Sequence, residues 1–131
     1  MKQWLTKLLG NRGERFAARH LRRQGFRILS RQHTSRLGEI DRIVLDGDTI
    51  VFVDVKTRRT DVAGRPDEAA DHAKQKQLTR LALVYLKRHG LLERRARFDV
   101  ISLLWLDGSR QPDVCHLRNA FSPVGVGQMF S

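Results

Sequence analysis

The alternation of apolar and polar residues along the chain predicts a helix, three strands, a second helix and two further strands. Strand-forming runs are bounded by turn signals, of which Asp46-Gly47-Asp48 is the strongest, and the helical runs repeat apolar residues every three or four positions. The predicted elements are a helix over 11–24, strands over 25–29, 37–45 and 49–56, a helix from 66 or 67 to about 88, and strands over 97–106 and 114–118. A helical crossover lets the strands before and after it run parallel. The pattern therefore indicates an α/β fold of order α-β-β-β-α-β-β, with a mixed central sheet flanked by helices.

The length of 131 residues, with 40% hydrophobic and 30% charged residues, is typical of one globular domain. We expect a single domain over 1–131, with its core at about 8–122 and a loose tail at 123–131. The polar stretch 57–65 predicts a mobile loop. No apolar run is long enough to span a bilayer and the first residues lack a secretion signal, so we expect a cytoplasmic protein without a membrane partner.

The charge of the chain changes this picture, because 25 basic residues outnumber 14 acidic ones and give a net charge of +11. The first 38 residues hold ten of the basic residues and a single acid, Glu14. So uneven a balance favours a polyanionic partner, most often nucleic acid, over the alternative of a merely solubilising surface. The candidate phosphate-binding residues share one face of the first helix or follow the third strand: Arg12, Arg15, Arg19, Arg22, Arg23, Arg58 and Arg59.

Glu14 differs from its neighbours, because it shares the apolar face of the first helix with Ala17, Ala18 and Leu21. Two interpretations stay open on periodicity alone. The carboxylate either favours the helix dipole and is freely solvated, or it points toward the sheet that the helix covers.

The hairpin around Gly47 places Asp41 nearly opposite Asp54, and Lys56 lies two residues further along on the same face as Asp54. Two opposed carboxylates destabilise a sheet unless a cation lies between them, and oxygen ligands suit Mg²⁺ or Mn²⁺. Lys56 would then orient a water or stabilise charge on a phosphate. The alternative is a plain ion pair between Asp41 and Lys56, with Asp54 at an exposed strand end.

The remaining chemical candidates are few. Lys74 lies on the apolar stripe of the second helix with Gln75 beside it, and its ordinary interpretation is a lysine that extends its amine to solvent. The five histidines show no metal-ligand spacing, and the single cysteine, Cys115, excludes an internal disulfide. The chain contains neither a phosphate-binding P-loop nor a serine-hydrolase motif.

Several motifs together resemble those of the YraN-type proteins of bacteria. The matching segments, within about 8–122, are Gly13-Glu14, Gly38-Glu39-Ile40-Asp41, Phe52-Val53-Asp54-Val55-Lys56-Thr57-Arg58, Gly64-Arg65-Pro66, Lys74-Gln75 and Arg97-Phe98-Asp99-Val100. That family resembles the archaeal Holliday-junction resolvases and the restriction-endonuclease-like nucleases of the PD-(D/E)xK type. Ile40 replaces the proline of that signature, and Asp54 stands where YraN-type proteins more usually have glutamate.

The resemblance implies a restriction-endonuclease-like fold and a metal-dependent endonuclease that hydrolyses DNA, including branched recombination or repair intermediates. It assigns Asp41 and Asp54, with Glu14, to Mg²⁺ or Mn²⁺, Lys56 to catalysis, and Lys74 and Gln75 to an auxiliary position. We expect nucleic acid as the partner, DNA over RNA, and a homodimer would suit a palindromic or four-way substrate. The alternative is a nuclease-like module that binds nucleic acid without cutting it.

Overall fold

The computed structural model describes residues 2–31, 33–59 and 72–125, and the side chains from residue 11 onward. In chain order the elements are α1 (Lys2–Arg23), β1 (Arg27–Ser30), β2 (His33–Ser35), β3 (Gly38–Ile40), β4 (Arg42–Asp46), β5 (Thr49–Arg59), α2 (His72–Arg88), β6 (Ala96–Trp105) and β7 (Asp113–Phe121). Neither of these two helices is both long and apolar enough to cross a membrane.

Five strands form one mixed sheet in the order β1-β4-β5-β6-β7, and β2 and β3 form a separate two-stranded ribbon. The β4–β5 hairpin is antiparallel and pairs Arg42 with Val53 and Asp46 with Thr49. β6 lies parallel to β5, because α2 lies between them in sequence and carries the chain back to the same end of the sheet. The predicted α/β fold with a mixed central sheet flanked by helices is confirmed.

Each face of the sheet is covered by one helix, because the central strand β5 is apolar on both faces. Val51 and Val53 pack with Ala17 and Leu21 of α1 in one core. On the other face Phe52 packs with residues of α2 such as Leu81. Side chains alternate along a strand, so Asp54 follows Phe52 onto the face that α2 covers.

The structure differs from the predicted elements mainly near the hairpin. The single strand expected over 37–45 is interrupted at Asp41 and becomes β3 and β4, and the short strand β2 was not predicted. α1 begins nine residues earlier than expected, and β5 continues through Arg59 into the stretch predicted as a loop. The rest of that loop, the predicted helix start at residues 66 or 67 and the end of the tail lie outside the described residues.

The β2–β3 ribbon is attached to α2 through a backbone contact. Gln77 donates a hydrogen bond from Nε2 to the carbonyl oxygen of Leu37 over 2.8 Å. The adjoining Gly38 has φ of +134°, and a Cβ there would collide with the Gln77 side chain. The glycine therefore allows both the turn of the ribbon and its close approach to the helix.

Helix α1 approaches β5 so closely at Gly13 that a side chain there would collide with Thr57 Oγ1. We expect Gly13→Ala to destabilise the protein by about 1–2 kcal/mol, since overpacking outweighs the gain in helix propensity. In a Thr57→Ala background the same substitution should stabilise the protein, because the obstructing hydroxyl is gone. Urea denaturation of the four proteins measures both effects, and equal changes in the two backgrounds would contradict the close approach.

Candidate metal centre

Asp41 lies in the break between β3 and β4 and is fixed by the neighbouring strand. The backbone N–H of Val55 donates to Asp41 Oδ2 over 2.8 Å. The register that pairs Arg42 with Val53 places Asp41 beside Asp54, close enough for the charge of Asp41 to raise the pKa of Asp54. The structure thus brings together Asp41 and Asp54, which the predicted hairpin around Gly47 places nearly opposite each other.

Helix α1 adds a third acid and the ribbon a fourth. Carboxylate oxygens of Glu14, Glu39 and Asp41 all lie within 4.8 Å of one another. Glu14 therefore points toward the sheet, which decides between the two interpretations of its position. Glu14, Glu39, Asp41 and Asp54 together form what we call the acid cluster, in which Asp41 lies near acids from α1, β3 and β5.

Asp54 is the most buried acid of the cluster, with 8% of its surface exposed. Burial, and then the negative charge of Asp41, raises the pKa of Asp54 from 3.8 to about 6. Its Oδ2 atom is buried and has no hydrogen-bond partner among the described residues. A buried carboxylate oxygen without a partner is costly, and a bound cation is one way of satisfying it. The alternative of an exposed strand-end aspartate is wrong.

Glu14 has a similarly perturbed acidity. Burial, and then the charge of Asp41, raises the pKa of Glu14 from 4.5 to about 6. Near neutral pH the cluster therefore holds several negative charges against their mutual repulsion. Carboxylate oxygens crowded in this way match the ligand set that hard divalent cations such as Mg²⁺ and Mn²⁺ prefer, so the residues fit such an ion.

Three cations surround the acids. Burial raises the pKa of Asp54, and the charges of Lys74 and Lys56 partly offset that rise, with the larger effect from Lys74. Both ammonium groups therefore act on the acids. The alternative interpretation, a plain ion pair between Asp41 and Lys56, does not explain why Lys56 and Lys74 both act on Asp54. Gln75, beside Lys74 on α2, is half-buried.

The third cation, Arg42, was not anticipated from the sequence. It is 7% exposed and lies on the face of the sheet under α1, where Glu14 and Asp41 partly offset the burial that lowers its pKa. Its Nε atom has no hydrogen-bond partner in the described part of the chain. Alternation with Val44 on β4 was the available signal, because it makes position 42 inward-facing. Glu39 was missed too, although its spacing of two residues from Asp41 could have indicated it.

The predicted phosphate-binding arginines do not form one patch. Arg12, Arg15 and Arg19 line a cavity of about 300 Å³ between α1 and the end of β6, together with Arg110 of the following turn. Arg19 and Arg23 line a second cavity of about 250 Å³ further along α1. Arg22 lies on the other side of the helix, where its charge acts on Arg42. Arg58 is half-buried, and Arg59 is exposed at the end of β5.

A separate polar network connects α1 to the last two strands. Asp99, fully buried on β6, accepts hydrogen bonds from Arg97, from the backbone N–H of Asn119 and from the His116 ring. Although burial raises it, these hydrogen bonds bring the pKa of Asp99 below 3.8 overall. His116 in turn is hydrogen-bonded to His20 of α1 over 3.2 Å. Cys115, next to His116, is a free cysteine.

The fold and this geometry define a class of protein: an α/β domain, consistent with a restriction-endonuclease-like fold, with clustered carboxylates at its central hairpin. The chain belongs to the uncharacterised protein family UPF0102, whose family model matches residues 13–103. This confirms the resemblance to the YraN-type proteins.

Three relatives illustrate how far the similarity extends. The chain is 46% identical to a UPF0102 protein of Geobacter sulfurreducens over 116 residues, which cover 88% of this chain and 90% of that protein. It is 45% identical to a UPF0102 protein of Pelotomaculum thermopropionicum over 115 residues, 88% of this chain and 96% of the relative. A UPF0102 protein of Rhodopirellula baltica is 44% identical over 125 residues, 93% of this chain and 75% of the relative.

Proposed function

We propose that the protein is a metal-dependent endonuclease that hydrolyses DNA phosphodiesters, with the acid cluster as its active site. The observation that carries the proposal is the grouping of Glu14, Glu39 and Asp41 oxygens within 4.8 Å, next to a buried Asp54 oxygen without a partner among the described residues. A structural role does not explain this grouping, because the acids repel one another.

In this proposal Asp41 and Asp54, with Glu14, hold Mg²⁺ or Mn²⁺, and Glu39 adds a further oxygen to the set. Such an ion lowers the pKa of water and neutralises charge on a phosphate. Lys56, beside Asp54 on β5, positions the attacking water, and Lys74 stabilises negative charge from the α2 side. Gln75 supports Lys74 as an auxiliary polar group.

The arginines supply the second part of the proposal, which is the affinity for nucleic acid. Guanidinium groups on α1 bind phosphate oxygens without reading the base sequence. Binding should therefore weaken steeply with salt, whether or not the protein cuts. A nuclease-like module that only binds nucleic acid shares this property, so affinity alone does not separate the two functions.

The deciding experiment measures cleavage and binding in the same samples. Labelled four-way junction, flap, single-stranded and duplex DNA, and a structured RNA, are incubated with Mg²⁺, with Mn²⁺ or with EDTA. We expect cutting of at least one substrate with either metal and none in EDTA. Salt-sensitive binding without cutting under every condition would instead identify the non-catalytic module, and tighter binding to structured RNA would shift the proposed substrate away from DNA.

A further inference from the structure

Two adjoining cavities lie beside α1, on the side of the helix away from the acid cluster. They share Phe16, Arg19 and Gln111 as lining residues. We call the two cavities together the arginine groove: it is lined by Arg12, Arg15, Arg19, Arg23 and Arg110, and none of the described lining residues is acidic. Its walls come from α1 on one side and from the end of β6, the following turn and the start of β7 on the other.

The groove has an aromatic floor as well as basic walls. Phe16 and Trp105 pack edge to face with ring centroids 6.5 Å apart. The Arg12 guanidinium lies over the Trp105 ring at 4.7 Å from its centroid. Trp105 is only 8% exposed, whereas Arg12 is exposed. A guanidinium placed over an indole offers its outer surface to a further planar group.

We propose that the arginine groove binds an unpaired strand of nucleic acid, with a base stacked on Arg12 and successive phosphates on the other arginines. Guanidinium planes and aromatic rings are the surfaces on which unpaired bases stack, and a basic channel follows their backbone. A duplex keeps its bases paired inside, so it places no base in a pocket of about 300 Å³. Two adjoining pockets suit two consecutive nucleotides.

This inference rests on the proposed function and narrows its substrate class. Glu14 of the acid cluster and Arg12 of the groove are two residues apart on α1, so they face opposite sides of the helix. One nucleic acid could therefore occupy both sites only where an unpaired strand branches from the segment being cut. The substrate class becomes DNA with a single-stranded arm next to the scissile bond.

The test uses the full chain with Trp4→Phe, which leaves Trp105 as the only tryptophan. Its emission is followed during titration with a twelve-nucleotide oligo(dT) and with a blunt duplex of the same length, in EDTA so that nothing is cut. We expect oligo(dT) to change the emission and to bind more tightly than the duplex. Arg12→Ala and Arg110→Ala should each weaken oligo(dT) binding by about tenfold or more.

Arg94→Ala is the matched control, because it removes the same charge from an exposed position at the opposite end of β6. It should change the affinity by less than about twofold. Groove variants that bind oligo(dT) as tightly as the control, or that weaken oligo(dT) and duplex equally, would overturn the inference. Since the titration needs no cleavage, failure of the nuclease proposal and failure of the groove are separate results.

Discussion

Asp41→Asn should reduce the rate of metal-dependent cleavage by about a thousandfold or more, while the affinity for DNA stays the same or rises slightly. Asp41 is fixed by the Val55 N–H, and its charge raises the pKa of both Glu14 and Asp54. The amide keeps the shape of the side chain but loses the charge that would hold a cation between these acids. Binding depends on the arginines, which the substitution does not touch.

The measurement is single-turnover cleavage of the best substrate, with binding recorded by gel shift in EDTA. Asp48→Asn is the matched control, because it makes the same chemical change in the exposed turn of the same hairpin. Lys56→Ala should also lose cleavage. Its melting temperature should still rise when Mn²⁺ is added, whereas that of Asp41→Asn should not. If Asp41→Asn cuts like the parent protein, the acid cluster is not the active site.

Asp54→Asn should stabilise the metal-free protein at neutral pH, although it removes a proposed catalytic group. Folding raises the pKa of Asp54 from 3.8 to about 6, so the folded state holds the proton more tightly than the unfolded state. The stability of the parent protein therefore falls as pH rises from about 4 to above 6, where the buried carboxyl must ionise. The pH-dependent difference reaches up to about 3 kcal/mol in favour of the variant.

Urea denaturation in EDTA at pH 4.5, 5.5, 6.5 and 7.5 measures this effect. The advantage of Asp54→Asn over the parent protein should grow through this series, because titrating groups outside the acid cluster contribute equally to both proteins. Asp48→Asn, which makes the same change at an exposed site, should show no such trend. An advantage that stays constant with pH would mean that Asp54 does not ionise against burial and repulsion.

The sequence predicted the architecture well where local pattern and burial agree. Apolar residues on both faces of β5 indicated a central strand, and Asp46-Gly47-Asp48 fixed the hairpin register that brings Asp41 to Asp54. The periodicity of α1 placed Glu14 on the buried face, but it could not decide whether the carboxylate reaches the sheet. That depends on how closely the helix approaches β5, which Gly13 determines.

The missed residues depend on contacts between elements distant in sequence. Glu39 joins the cluster because the chain breaks at Asp41 into a ribbon and a strand, whereas the pattern suggested one continuous strand. Lys74 looked like a solvated lysine because a helical stripe does not reveal which strand residue lies opposite. Arg110 and Trp105 form a groove with α1 only after the sheet has folded, so no spacing along the chain relates them.

The break at Asp41 also gives a bound cation a mechanical role. Glu39 belongs to the β2–β3 ribbon, whereas Asp41 directly precedes β4 of the main sheet, and only Ile40 separates the two acids. A cation held by both carboxylates would act as a cross-link between two independently paired sheets, in addition to the Gln77 contact from α2. Occupancy of the site would then be coupled to the order of the ribbon. Cleavage of the β2–β3 ribbon by a protease would then slow when the cation binds. The cleavage rate would measure metal binding without any nucleic acid present.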